Sequence, residues 1–152
     1  MCIRDSRKPP VLFMLAVLLQ MSSVFAWADH AKPSFNVADE NEIKVVVRAQ
    51  LNAFRQGQFD LAYGYASDNI KRRFPNSVAF MTMVEEGYAV LLNPLSVRFD
   101  GLDQRLDIPI YQVQLIASDG YRWLVLYPMV KDDSGAWKIN GCQIFQLTRE
   151  LV

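Results

Sequence analysis

The sequence predicts an α+β fold, with N-terminal helices packed on one face of a four-stranded antiparallel sheet. Apolar residues recur at helical spacing up to Asn93-Pro94 and then alternate with polar residues. The second half is rich in β-branched and aromatic residues and contains the hairpin signal Asp119-Gly120. Helices followed by sequential strands are typical of an α+β domain.

Residues 7–28 have the three parts of an export signal. Arg7 and Lys8 supply positive charge, Val11 to Leu19 is an unbroken apolar run, and small residues ending at Ala28 form a cleavage site. A membrane-spanning helix needs about 20 apolar residues. We therefore interpret this segment as a cleaved signal peptide rather than an anchor. We expect a periplasmic or secreted protein with no stable membrane span after cleavage.

Residues 1–6, MCIRDS, do not fit the basic start of such a signal. The codons ATG-TGT-ATA-AGA-GAC-AG, found at the transposon end used to build sequencing libraries, translate as Met-Cys-Ile-Arg-Asp followed by Ser or Arg. We hypothesise that these residues are sequencing-adapter sequence fused to a gene fragment in a metagenomic assembly. They are left out of the fold prediction.

The length and the net charge of the part after Ala28 limit the classes of function that it can have. It has 124 residues, the length of one domain, with 13 basic and 15 acidic residues and a net charge of −2. This balance argues against nucleic acid or an anionic membrane as the main partner. The one basic run, Lys71-Arg72-Arg73, falls short of a basic binding motif and is more typical of a solvated helix face.

Cysteine and histidine are too few for the usual metal sites or nucleophilic mechanisms. Without residues 1–6, Cys142 is the one cysteine, so we expect a buried unpaired thiol and no internal disulfide. His30 is the one histidine and lies in the segment 29–38, which we predict to be a flexible lead. We therefore predict no metal site, no cofactor and no catalytic residue among these groups.

Residues 39–152 are predicted to form a single α+β domain that begins with helices. Asp39 is the expected cap of the first helix and Ser77 of the last, and residues 59–74 form one or two short helices between them. The two apolar stripes are Ile43, Val46, Val47, Leu51 and Phe54, and then Phe80, Met83, Val84 and Tyr88. Such a stripe of methionine and aromatic residues is more often core than a cofactor site.

Four strands are predicted to follow, at residues 95–102, 108–118, 121–130 and 136–147. Pro128 is expected at a strand end, an edge or a bulge, because proline cannot donate a backbone hydrogen bond. The Asp119-Gly120 signal favours a two-residue loop with Ser118 opposite Tyr121.

This register gives the central hairpin two different faces. The inner face would carry Val113, Leu115, Leu124 and Leu126, since aliphatic burial contributes about 25 cal/mol per Å². The outer face would carry Gln112, Gln114, Ile116, Trp123, Val125 and Tyr127, a composition typical of a partly hydrated interface. A three-residue bulged loop is the alternative, and it would turn one strand over.

The order and the amino-acid sequences of these elements resemble a bacterial family described as domain of unknown function 4864. The resemblance rests on VVVRAQLNAFRQGQFDLAYGYASDNIKRRF, FMTMVEEGYAVLLNPLSVRF, YRWLVLYPM and AWKINGC, which cover most of residues 43–144. Such domains are similar to the nuclear transport factor 2-like superfamily. The resemblance implies a strongly curved sheet that helices close into a cone with a pocket. It implies no established activity and no functional residues.

Three hypotheses about function remain. The first is a non-catalytic exported domain that binds a small apolar ligand in the cone, near Tyr63, Phe80, Met83, Tyr88 and Trp137. The second is a homodimer or partner-binding module that uses Gln112, Gln114, Trp123, Val125 and Tyr127 of the outer sheet face. The third is an enzyme of the isomerase, dehydratase or hydrolase type, as occurs in the superfamily. Its candidate carboxylate is Asp100, for which a surface ion pair with Arg98 is the more ordinary role.

Overall fold

The structure is a computed structural model that describes residues 35–103, 105 and 108–147, all within the unit Ala31–Val152. The predicted adapter segment 1–6, the predicted export signal 7–28 and His30 lie outside the described residues. Among the residues described, no helix is long and apolar enough to cross a membrane.

The described residues form helices followed by an open, curved antiparallel sheet, which confirms the α+β prediction. The helices are α1 (Val37–Arg55), α2 (Phe59–Gly64), α3 (Asp68–Arg73) and α4 (Ser77–Gly87), with a 3₁₀ turn at Ala89–Leu91. The strands are β1 (Ser96–Leu102), β2 (Ile110–Ile116), β3 (Arg122–Lys131), β4 (Trp137–Ile139) and β5 (Gln143–Leu147). Their order is β1-β2-β3-β4, and β5 also pairs with β3. The predicted fourth strand is thus divided into β4 and β5.

α1 begins two residues before the predicted domain start, because Asn36 rather than Asp39 is its cap. The Asn36 side chain accepts a hydrogen bond from the Asp39 amide at 2.9 Å, and the Asp39 carboxylate accepts one from the Asn36 amide at 3.3 Å. This reciprocal pair is a capping box. The Asp39 carboxylate also accepts a hydrogen bond from Lys131 Nζ at 3.0 Å, which lowers the pKa of Asp39. The cap therefore joins the start of α1 to the end of β3.

The core lies between α1 and the inner face of the sheet. Its fully buried members include Ile43, Val47, Leu51 and Phe54 from α1 and Tyr111, Val113, Leu115, Val125 and Tyr127 from the sheet. Gln50 is a buried polar residue in this layer, and its Nε2 donates to the Ala62 carbonyl at 3.1 Å. This bond satisfies the amide and fixes α2 against α1.

The loop between β2 and β3 has three residues, not two. The Ala117 amide donates to the Tyr121 carbonyl and the Gly120 amide to the Ala117 carbonyl, both at 2.9 Å. Gly120 has a φ of 80°, the left-handed conformation that closes a bulged three-residue loop. The two-residue loop was therefore the wrong expectation, and the bulged alternative is the one observed.

This loop reverses the predicted orientation of β3. Val113 lies opposite Val125 and Leu115 opposite Trp123, whereas Gln112 and Gln114 lie opposite Leu126 and Leu124. Directly opposite residues share a face of the sheet. Trp123, Val125 and Tyr127 therefore lie on the helix side, and their placement on the outer face was wrong. Gln112 and Gln114 do lie on the outer face, with Leu124 and Leu126.

β4 and β5 are separated because β3 contains Pro128. The Asn140 amide donates to the Pro128 carbonyl at 2.8 Å. In an antiparallel strand the N–H and C=O of one residue point to the same neighbouring strand. A backbone N–H at position 128 would therefore also point towards Asn140, but proline has none. The pairing with β3 shifts by one residue between Met129↔Ile139 and Leu126↔Gln143. The proline thus lies at a bulge, as predicted.

Gly101 provides a test of the contact between β1 and α1. Its φ is 100° at an irregularity in the β1–β2 pairing, and an added Cβ would lie 2.6 Å from Glu40 Oε1. We predict that Gly101→Ala lowers the free energy of unfolding by about 1–2 kcal/mol, measured in urea, because alanine disfavours this φ. Gly87→Ala, in open space at a helix end, is the control. An equal loss in both variants would contradict the prediction.

Candidate functional site

An open pocket of about 270 Å³ lies among α1, α3, α4 and the break between β4 and β5. Its apolar walls are Phe54, Ile70, Phe74, Phe80, Met83, Val84, Leu91 and Ile139. Its polar lining residues are Gln50, Arg73, Tyr88, Tyr127, Asn140 and Cys142. Apolar walls with a few polar groups are typical of a small-molecule site.

Phe80 is the centre of an aromatic wall on one side of this pocket. Its ring lies 6.3 Å from Phe54, 5.6 Å from Tyr63 and 6.5 Å from Phe74, measured between ring centroids. The Tyr63 hydroxyl donates to the Phe74 carbonyl at 2.6 Å, just before Pro75. This hydrogen bond fixes the chain between α3 and α4. The aromatic wall is therefore supported, on the side away from the pocket, by Tyr63, whose hydroxyl has a hydrogen-bond partner.

Tyr127 lines the pocket from β3 and has a buried hydroxyl. Tyr127 is 1% exposed, and its hydroxyl has no hydrogen-bond partner within the described residues. Burial, with Cys142 nearby, raises the pKa of Tyr127 well above its usual value, so the hydroxyl keeps its proton. A buried donor without a partner costs about 1–3 kcal/mol. The hydroxyl oxygen is inaccessible to water, so it lies behind the pocket surface.

The strand break supplies two polar residues of the lining, Asn140 and Cys142. The Tyr88 hydroxyl donates to the Cys142 carbonyl at 3.2 Å, and the Ser67 hydroxyl donates to Asn140 Oδ1 at 2.8 Å. The Ser67 amide also donates to the Ile139 carbonyl at 2.9 Å. These bonds attach the break to the helical layer, so the pocket wall is built from both layers.

The Cys142 thiol lines the pocket but is poorly suited to nucleophilic chemistry. Burial raises its pKa to about 12. The thiolate is the nucleophile, so at neutral pH the group is a neutral thiol. This agrees with the expectation that Cys142 acts as a small hydrophobe.

The structure brings three of the five predicted ligand-binding residues to the pocket. Phe80, Met83 and Tyr88 line it, whereas Tyr63 and Trp137 do not. Tyr63 supports Phe80 from behind. Trp137, at the start of β4, packs edge-on against Phe35 at 6.4 Å and lies under Lys131, whose Nζ is 4.8 Å from the ring centroid.

The outer sheet face is a hydrogen-bonded polar surface beside an apolar strip. Gln114 Nε2 donates to Asp100 at 2.8 Å and Gln112 Nε2 donates to Asp103 at 3.1 Å. Arg98 lies 2.7 Å from the Asp100 carboxylate, which confirms the predicted surface ion pair. The apolar strip consists of Leu124, Leu126 and Phe145, and Phe145 is 47% exposed.

Carboxylates lie on this outer face and do not line the pocket. Arg105 holds the pKa of Asp103 at about 2, and Asp100 pairs with Arg98. No aspartate, glutamate or histidine is among the pocket-lining residues. The described residues also contain no group of three or more His, Cys, Asp or Glu side chains that could hold a metal ion.

Twelve of the fifteen lining residues were not predicted from the sequence, and three of the polar ones are instructive: Gln50, Arg73 and Tyr127. Gln50 interrupts the apolar stripe of α1, and an amide at a stripe position is a signal for a buried polar contact. Arg73 is the last residue of the basic run that was interpreted as a solvated face. Tyr127 was assigned to the wrong face because the loop length was wrong.

The fold and pocket define an α+β domain with a largely apolar, solvent-open cavity. The family model for the domain of unknown function DUF4864 matches residues 36–152, and the chain therefore belongs to this family. No curated protein and no solved structure matches the chain.

The reactivity of Cys142 is the first test of this site. We predict that iodoacetamide modifies Cys142 at pH 8 at least about 100-fold more slowly in the folded protein than in urea, because the folded thiol has a pKa of about 12. Mass spectrometry of the Cys142 peptide measures the rate separately from Cys2. The rate should still rise about tenfold per pH unit at pH 10 in the folded protein. A plateau below pH 9 would contradict the raised pKa.

Proposed function

We propose that this protein is a non-catalytic domain that binds a small apolar ligand in the pocket under α4. The pocket lies between helices and a curved sheet, an arrangement that supports a nuclear transport factor 2-like cone. The signal-like residues 7–28 support export to the periplasm or beyond. In this proposal the domain meets its ligand outside the cytoplasm.

The largely apolar lining is the observation that carries the proposal. Eight apolar side chains line the pocket, and a bound apolar group would remove their surface from water at about 25 cal/mol per Å². The volume of about 270 Å³ is roughly twice that of a cavity that holds benzene, which indicates a ligand of about ten non-hydrogen atoms.

The chemistry of the lining favours binding over catalysis. General acid–base catalysis needs a group that titrates near the working pH, and the pocket lining has no carboxylate or imidazole. Cys142 and Tyr127 both have raised pKa values, which removes them as nucleophile or base at neutral pH. Asp100, the candidate of the enzyme hypothesis, pairs with Arg98 on the outer face.

Binding of 1-octanol tests the proposal directly. This uncharged alcohol has about the right size for the pocket. We expect saturable binding by the wild-type protein in ligand-detected NMR and calorimetry. Met83→Trp should abolish it by filling the pocket, because Met83 lines the wall. Thr82→Trp, at the exposed neighbouring position of α4, should bind octanol like the wild type.

Two results would argue against the proposal. One is a wild-type protein that shows no saturable octanol binding. The other is Met83→Trp binding octanol as tightly as Thr82→Trp, since binding would then take place away from the pocket.

Self-association through the outer sheet face is a second proposal, favoured by the uncovered apolar strip. Leu124 lies directly opposite Phe145 on this face, beside the Arg98–Asp100 pair. A surface that carries apolar groups and both signs of charge complements itself around a two-fold axis. A second copy of this chain is therefore the partner that we propose.

Sedimentation of variants with substitutions in the apolar strip tests this second proposal. We expect the wild-type protein to form a dimer at high concentration. Leu124→Glu with Phe145→Glu should shift it to monomer by placing charges in the contact. Val45→Glu, on the exposed side of α1 at 65% exposure, should leave the dimer intact. A wild-type monomer at all concentrations would exclude the proposal.

A further inference from the structure

We infer that the ligand of this pocket is an organic anion: an apolar body of about ten non-hydrogen atoms fills the cavity, and its carboxylate pairs with Arg73 at the mouth. The inference rests on the proposed ligand-binding function and adds the chemical class of the ligand. It depends on the charge of the lining, the position of Arg73 and the contacts of its neighbours.

The charge of the pocket lining has one sign. Arg73 is the one charged residue among those that line the pocket, and no acidic side chain is present there to neutralise it. The guanidinium keeps its positive charge at any physiological pH. A ligand that complements this lining therefore carries a negative charge at one end and an apolar body at the other.

The position of Arg73 fits the mouth of the pocket. It is the last residue of α3, next to Phe74 in the pocket wall, and it is exposed to solvent. A lining residue that is also exposed must lie where the pocket meets the surface. An anionic head group bound there keeps contact with water while the apolar chain is buried, which avoids the cost of burying a charge.

The two neighbours of Arg73 in the basic run have partners within the protein, whereas Arg73 has none among the described residues. Lys71 Nζ lies 5.6 Å from the Tyr63 ring centroid, and Arg72 Nη2 donates to Asn69 at 3.3 Å. Arg73 forms no ion pair or side-chain hydrogen bond with any residue in the described part of the chain. Its guanidinium is therefore available for a ligand.

Arginine at this position also matches a carboxylate by shape. The guanidinium presents parallel N–H groups that can hold both oxygens of a carboxylate at once. An alcohol of the same length can use one of these donors but gains no charge interaction. An amine of the same length would be repelled. The three head groups therefore separate the contribution of charge from that of the apolar chain.

The experiment compares octanoate, 1-octanol and octylamine, which share an eight-carbon chain. Their dissociation constants are measured by calorimetry at pH 7 and low salt with the wild type, Arg73→Gln and Arg72→Gln. Arg72→Gln is the matched control, because it removes the same charge one residue away from the pocket lining. The fold of each variant is checked by circular dichroism.

We expect the wild type to bind octanoate about tenfold more tightly than octanol, the scale of one charge-assisted hydrogen-bonded contact, and to bind octylamine more weakly than octanol. Arg73→Gln should bind octanoate and octanol with equal affinity. Arg72→Gln should retain the preference for octanoate. Added salt should reduce this preference, since the mouth is exposed to solvent.

The outcomes separate the two proposals. If octanol and octanoate bind the wild type equally, the pocket binds apolar ligands but the anion is excluded. If Arg72→Gln loses the preference as fully as Arg73→Gln, the effect comes from general surface charge and Arg73 has no special role. If none of the three molecules binds the wild type, the ligand-binding function itself fails and the inference fails with it.

Discussion

The left-handed conformation of Gly120 determines which side chains of β3 face the helices, and the rest of the site depends on this choice. At φ 80° it closes a three-residue loop. A loop one residue shorter would turn β3 over, since successive side chains of a strand alternate between faces. Tyr127 would then leave the pocket, and Leu126 would move from the outer face to the core. One backbone torsion thus decides which side chains of β3 line the pocket.

The architecture of the domain could be predicted from its apolar periodicity. The stripe containing Ile43, Val47 and Leu51 is buried against the sheet as expected, and the change to alternation after Pro94 marks the start of β1. The predicted starts of the helices were less accurate. Asn36 and Asn76 are the caps, not Asp39 and Ser77. Neighbouring residues with similar capping ability cannot be ranked without the backbone that they cap.

The site was less predictable because it depends on contacts between distant parts of the chain. Phe80, Met83 and Tyr88 were identified since helical spacing places them on one face, whichever partner they contact. No residue near Tyr127 in the sequence indicates the length of the β2–β3 loop, although this length places Tyr127 on the helix side of the sheet. The break between β4 and β5 likewise results from Pro128 in a neighbouring strand, some 12 positions before Asn140 in the chain.

The short strand β4 has a covered outer edge. Ala66 forms a parallel bridge with Ile139, and the Ile139 amide donates to the Tyr65 carbonyl at 2.9 Å. The connection between α2 and α3 thus occupies backbone groups that another polypeptide would need in order to extend the sheet. β1 is interrupted by the irregularity at Gly101, which also opposes regular pairing with a foreign strand. The connection between α2 and α3 and the irregularity in β1 therefore protect these two edges against edge-to-edge aggregation.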